Sequence, residues 1–447
     1  MATSDLALLH QMDDFILDGK HHEATDAYCR LVAARPEDAA RITTHVMTTA
    51  APYLHVPAHH KLLSNGEFRN VNYDHTVLGI RAGLRLMPWL SERERYLTLA
   101  QAVYYVPQGL DVWEQLECGF PGHYAREQEK CAEDLLQANK RLHCHFEDQE
   151  PLVEGSVDER FQRMLARSST SACPTSRTRP SSTRSTTTRA SCLGTTFRGA
   201  QYRLHETNVA PLTEPEQDEL VARILAGDPI AVTHAITALL QAGRALTAIG
   251  DVVMLAHATH CVERLRSPIA YTVPMHSFDY ANVVNYWLRH FRHPHQAKAI
   301  YLSAWFVTDT IREVDWYPDD PTVARPDYAP HRAWAERLSG AEALAELERA
   351  IAAQDPGRAV ALVRAYQQRT DGRDELIRRL VPCAARFQGD AHIFRNARSV
   401  IEEYYASSVS PRRKDVFFQA WAHYLAFYRK RTLSTDCYEL YHHHFAG

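Results

Sequence analysis

What most restricts this chain is its punctuation: apolar helical runs that stop and restart at once behind a capping side chain. In Ile224-Leu225-Ala226-Gly227-Asp228-Pro229 and Ile351-Ala352-Ala353-Gln354-Asp355-Pro356 an apolar run ends and Asp-Pro follows. Asp228 or Asp355 can cap the next helix, while Pro229 or Pro356 occupies its first turn, where a missing amide costs nothing. Leu31-Val32-Ala33-Ala34-Arg35-Pro36 is a looser third copy. Ser91-Glu92-Arg93-Glu94 and Thr213-Glu214-Pro215-Glu216 match the capping box, in which a hydroxyl and a carboxylate satisfy the open amides of a first turn. The first predicts a helix through Tyr96, Leu99, Val103 and Val106 to Pro107, the second one through Leu220, Val221, Ile224 and Leu225 to Gly227. Strand-like alternation between tight turns is hard to find. The expected fold is therefore all-α, with antiparallel helical hairpins stacked into a compact repeat-like bundle and little or no sheet.

At 447 residues and 45% hydrophobic, the chain has material for a large core or two adjoining ones. Three regions are expected. Residues 1–159 form an N-terminal helical region containing a hairpin led by His75, and residues 206–447 a C-terminal one carrying His234, His257, His260, His276 and His392. Between them, 160–205 is a Ser/Thr/Arg-rich segment without an acidic residue. It reads either as a disordered linker or as the product of a shifted reading frame.

A net charge of -4, with 50 basic and 54 acidic residues, provides no field to attract nucleic acid or an anionic membrane. No apolar stretch approaches the roughly 20 residues that span a bilayer. Asp5, Asp13 and Asp14 stand where a secretion signal needs basic residues and an apolar run. The nine cysteines are scattered without a C-x-x-C pair and read as reduced thiols. The expectation is a cytoplasmic protein that binds neither nucleic acid nor membrane.

Histidine is the anomaly, with 25 against 18 Gly. Leu99-Ala-Gln-Ala-Val-Tyr-Tyr-Val and Leu255-Ala-His-Ala-Thr-His-Cys-Val share four of eight positions, and each lies a little over twenty residues beyond a histidine, His75 or His234. His276 and His392 also precede apolar stretches, each followed by an aromatic-rich helix around Tyr301–Trp305 or Phe417–Tyr424. Four His-led hairpins could face one interior. Within Ala256-His257-Ala258-Thr259-His260, two imidazoles three residues apart share a helical face and could bind one metal ion, although one buried and one surface histidine is the plainer alternative. Asp74, Asp279 and Asp390 lie near His75, His276 and His392, where a carboxylate can ligate a metal or fix an imidazole tautomer; a helix cap beside a core histidine explains each case taken singly. Spacing thus nominates His75, His234 and His276 as catalytic candidates, and the same three with His257 and His260 as metal ligands. Of these, His75, His234, His257, His260 and His276 are expected to approach one another in one cavity.

Gly-rich phosphate loops, dinucleotide fingerprints and nucleophile elbows are missing, so nucleotide binding and hydrolase triads lack support. Tyr280, Tyr286, Trp287, Tyr301, Trp305 and Phe306 would mostly pack helix on helix, and could also wall a pocket for a planar organic molecule. The segments Asn72-Tyr-Asp-His-Thr-Val-Leu-Gly and Thr233-His-Ala-Ile-Thr-Ala-Leu resemble the questin-oxidase-like proteins, a helical family linked to oxidative cleavage of aromatic polyketides. The resemblance implies an oxidoreductase and carries over no catalytic residue.

Two functions follow as expectations. One is an oxygenase acting on a planar, aromatic or polyketide-like substrate in a His-rich pocket, with non-haem iron or another transition metal and a redox partner protein. The other is a non-enzymatic helical-repeat scaffold that holds a protein partner.

Overall fold

Thr213 and Ser339 each accept the amide three residues on, while Glu216 and Glu342 return a bond to the cap's own amide, so both helices begin where the hydroxyl and carboxylate dictate. Asp228 accepts from the amides of Ile230 and Ala231, and Asp355 from that of Arg358, each with proline as the next residue. The Asp-Pro junctions are therefore hairpin turns. Ser91 and Glu94 also bond each other, but residues 92–96 wind as tight turns and the helix proper starts at Leu97. The Tyr96 amide goes to the distant Tyr441 hydroxyl, and Leu97 bonds back only three residues to Glu94.

A computed structural model describes residues 3–50, 60–62, 68–70, 73–109, 204–263, 272–292, 296–314, 328–386, 391–427 and 436–445. All of the expected linker except residues 204 and 205 lies outside them. The described residues form α1 (Thr3–Leu17), α2 (His21–Ala34), α3 (Ala39–Ala50), α4 (Tyr73–Leu86), α5 (Leu97–Tyr105), α6 (Leu204–Thr207), α7 (Glu214–Leu225), α8 (Pro229–Gln241) and α9 (Leu246–Glu263). They continue with α10 (Thr272–His290), α11 (Gln296–Val314), α12 (Ala329–Ala335), α13 (Gly340–Ala352), α14 (Pro356–Arg369), α15 (Arg373–Arg386), α16 (Ala391–Ala406), α17 (Pro411–Phe427) and α18 (Asp436–His444). Their sheet is a single antiparallel pair, β1 (His60–Leu62) with β2 (Phe68–Asn70), His60 facing Asn70. The fold is all-α.

The core is centred on α9. It is apolar nearly all round, which a helix tolerates only when neighbours cover every side. Fifteen of its eighteen residues are buried, and α7, α10, α11 and α17 pack around it. A second layer of α13, α14 and α17 is filled by Leu344, Leu347, Val360, Leu362, Phe417 and Trp421. The N-terminal helices join the same body, since α4 packs along α16, and α18 closes over α2 and α5. Polar ties accompany these contacts: Gln101 Nε2 donates to the Ala385 carbonyl at 2.6 Å, and the Tyr441 hydroxyl to that of Arg93 at 2.9 Å. No described helix is long and apolar enough to cross a membrane.

Candidate functional site

The most unusual chemistry lies in a seam of buried charge between α9, α10 and α16. On α10, Asp279, Asn282, Asn285 and Arg289 recur at helical spacing and form one polar stripe. On α16 the matching stripe is His392, Asn396, Ser399 and Glu403, all buried. Arg289 forks onto Glu403, with Nη2 to Oε2 at 2.8 Å and Nη1 to Oε1 at 3.2 Å, and its Nη2 also contacts Asp251 of α9. Asn282 and Asn285 donate to the two oxygens of Glu403 at 2.9 and 3.1 Å. The second oxygen of Asp251 accepts both the amide and the hydroxyl of Ser408 at 2.7 Å. Asp279 pairs with Arg395 at 3.1 Å and accepts from Ser399 at 3.3 Å.

Two carboxylates and one guanidinium thus share a nearly dry site. Burial pushes the Glu403 carboxyl up, and Arg289 pulls it part of the way back. Burial would lower Arg289, but Glu403 and Asp251 outweigh it and hold the guanidinium charged. An arrangement of this kind is costly to break by halves, because the remaining partner stays buried as an uncompensated charge.

The cross-contacts also fix helix direction. Moving from Asp279 to Arg289 along α10 moves the partner from Arg395 to Glu403 along α16, so the two run parallel. Trp89, just beyond α4, stacks on Tyr405 near the end of α16, and Arg81 of α4 lies over Tyr286 of α10. The helices α4, α10 and α16 therefore start at the same end of the bundle. The preceding helix, α9, runs the other way and delivers its His257–His260 turn to that end, where His257 meets Ser277.

His257 and His260 are both buried. His257 Nε2 lies 2.8 Å from Ser277 Oγ, its Nδ1 3.5 Å from Cys261 Sγ, and its ring meets Phe278 edge-on at 5.1 Å. Burial pushes the Cys261 thiol far up, so a neutral S–H sits beside the imidazole.

His234 falls elsewhere. Val232, Thr233, Ile236 and Leu240 form the buried side of α8, leaving His234 on its exposed side, whereas His257 and His260 are buried. His75 and His276 lie third and fifth in α4 and α10, with side chains outside the described residues. Asp74 and Asp390 are likewise outside the described side chains. Asp279 pairs with Arg395 and accepts from Ser399, and the His276 side chain three residues before it lies outside the described residues. Among the described residues no three His, Cys, Asp or Glu side chains are grouped to hold a metal ion, so the described donors do not make a metal centre. The aromatic residues mostly tie helices together: Trp305 Nε1 donates to Thr233 Oγ1 at 2.7 Å, and the Tyr301 hydroxyl bonds that of Thr237 at 2.9 Å.

Asp251, Arg289, Glu403 and Ser277 did not stand out in the sequence as site residues. The polar stripes of α10 and α16 were the available signal, because a period near 3.6 in Asp and Asn within an otherwise apolar helix marks a polar interface. The molecule is an all-α bundle with a charged seam through its core. Compared with known protein families, curated proteins and solved structures, the chain matches none.

Proposed function

We propose that the protein is a cytoplasmic oxidoreductase of the monooxygenase kind, acting on a planar organic substrate at the end of the bundle where α4, α10 and α16 begin. The carrying observation is the shared direction of these three helices. It supports a common histidine-bearing end, because His75, His276 and His392 all lie within the first five residues of their helices and the antiparallel α9 adds His257 and His260. Neutral imidazoles there would hold and pass the proton of a ring hydroxyl, and a phenolate is the more electron-rich form for attack on dioxygen. One oxygen atom enters the substrate and the other leaves as water, with two electrons and two protons supplied through a redox partner protein. Beneath that end, the Asp251–Arg289–Glu403 seam would hold the helices in fixed register, as a reaction site needs.

A non-haem iron or other transition metal would need donors beyond the described set, from His75 or His276. The scaffold reading fits the helical hairpins but gives no role to the burial of His257, His260 and His392. To test the proposal, untagged protein is assayed for dioxygen uptake with hydroxylated polycyclic aromatics and a chemical electron donor. It is taken as purified and after reloading with iron, copper, manganese or zinc. Substrate-dependent uptake that falls at least tenfold in His260→Gln and His392→Gln is expected. No uptake under any loading, or uptake unchanged in both variants, overturns the reading.

A further inference from the structure

A groove of about 440 Å³ opens between α15, α13, α18 and the segment joining α4 to α5, and it contains none of the histidines discussed above. Its charges are unevenly spent. Arg379 is neutralised by Glu348 at 3.1 Å and Glu375 at 3.4 Å. Arg378 and Arg386 have no carboxylate within ion-pair distance among the described residues; each instead lies over an aromatic ring, Trp89 at 5.6 Å and Tyr438 at 5.7 Å. A guanidinium held over a ring face by cation–π attraction has no hydrogen bond to spend on that ring and keeps its N–H fork for a carboxylate.

These two arginines stand four residues either side of Pro382, on one face of α15 and about 12 Å apart along the axis, a span that two such side chains can close. Pro382 supplies no amide to the Arg378 carbonyl and presents its ring to the groove. Leu90 and Ile351 add apolar lining. Cys383 also lines the groove, but burial pushes its thiol up to about 12, so it offers no thiolate for covalent chemistry. The groove is built to hold rather than to react.

We propose that it is a binding site for a small planar aromatic carboxylate, its ring against Trp89 and Tyr438 and its anion on the guanidinium forks of Arg378 and Arg386. The volume lies within the range of small-molecule sites, and one carboxylate would give Arg378 and Arg386 an anionic partner in a groove whose Glu348 and Glu375 are already paired with Arg379. Aromatic walls with two guanidinium forks select a flat anion over an aliphatic or neutral one.

Calorimetric titration of the full chain with 2-naphthoate tests this, with 2-naphthylmethanol as the uncharged equivalent. Saturable naphthoate binding is expected, at least tenfold weaker in Arg378→Met and in Arg386→Met, and at least tenfold weaker for the alcohol. Glu94→Gln, which removes a negative charge from the groove wall at a half-buried position, should tighten naphthoate binding severalfold. Absence of saturable binding at millimolar naphthoate, affinity unchanged from the parent chain in both Arg→Met variants, or equal binding of the alcohol overturns the proposal. None of these outcomes bears on the histidine-bearing end, so the two readings fail separately.

Discussion

The α9–α10 and α13–α14 pairs are both antiparallel hairpins in the same core, yet they are held together by opposite means. Between α13 and α14 the buried side chains are Leu344, Leu347 and Ile351 on one helix and Val360, Leu362 and Tyr366 on the other, and the ion pair that joins them, Arg358 with Glu346, sits at the partly exposed edge. Between α9 and α10 it includes Asp251 and Arg289, with Glu403 arriving from α16. Apolar packing is forgiving, since hydrophobic side chains of similar volume can replace one another. The charged seam is not, because each member is correct only while the others are present. A core that retains such a network at α9–α10 while filling α13–α14 with aliphatic side chains has fixed one hairpin more strictly than the other.

The largest expected effect breaks that contrast directly. Arg289→Met keeps the length of the side chain but leaves Asp251 and Glu403 facing each other without a cation, and should cost about 3–5 kcal/mol in chemical denaturation. Glu403→Gln added to it should restore part of the loss, because one of the stranded charges is gone. Leu347→Ala in the other hairpin, at about 2–5 kcal/mol from lost burial and a cavity, should show no such rescue by a second polar change. A double-mutant cycle with no coupling between positions 289 and 403 would remove the distinction.

Next come the glycines. A Cβ at Gly250 of α9 would lie 2.2 Å from Asn285 Oδ1 and 3.3 Å from Ile300 Cδ1, so Gly250→Ala must push Asn285 off Glu403 and should cost about 1–3 kcal/mol. At Gly340 of α13 the nearest atom, on the Tyr366 ring, is 3.7 Å away, an ordinary contact. Gly340→Ala should be neutral or stabilising by up to about 1 kcal/mol, as expected for glycine replaced in a helix. Thermal melts of the two variants compare the tightness of the hairpins without touching a charge.

Much of the fold was legible because it is local. Thr213–Glu216, Asp228–Pro229 and Asp355–Pro356 each fix a boundary through atoms two or three residues apart, and the structure places helices there. Ser91–Glu94 misled for the same reason, since the Tyr441 hydroxyl that takes the Tyr96 amide lies 345 residues away. The charged seam was hidden in the same sense. Asp251, Arg289 and Glu403 are separated by 38 and 114 residues, and no spacing rule joins them. The burial of His257 and His260 follows from the apolar run around them, whereas His234 is set outward by Val232, Ile236 and Leu240, a pattern present in the sequence but outweighed by the His-led repeat.

The α17 helix, which packs against both α9 and α14, offers a pH-dependent probe. Burial lowers His423 to about 3, well below its ordinary value. The unfolded chain therefore takes up a proton near pH 6.5 while the folded one does not, so this stability is present above that pH and is lost as pH falls toward the folded value. Denaturation midpoints should fall below pH 6.5 with a slope approaching about 1.4 kcal/mol per pH unit from this group. In His423→Phe that component should vanish, leaving the slope set by the carboxylates. An identical pH profile in the variant would mean that His423 titrates normally and that α17 is less closed than its packing indicates.

The smallest effect concerns the turns rather than the interfaces. Before Asp228 the chain has Gly227 at φ +73°, while before Asp355 the same place is taken by Gln354 at φ +56°. Both residues satisfy the end of the preceding helix, Gly227 donating to the Ile224 carbonyl and Gln354 to that of Ile351, each at 3.0 Å. The left-handed conformation costs a residue with a Cβ about 1–2 kcal/mol, and glycine avoids this at an entropic cost of about 0.4–1 kcal/mol in the unfolded chain. Gln354→Gly should therefore stabilise by about 0.5–1 kcal/mol and Gly227→Ala destabilise by a similar amount, read from denaturant midpoints at constant slope. The apolar α13–α14 hairpin would then carry its strain in the connection and not in the packing. A loss of stability in Gln354→Gly would show that the Gln354 side chain contributes more to the turn than its backbone costs.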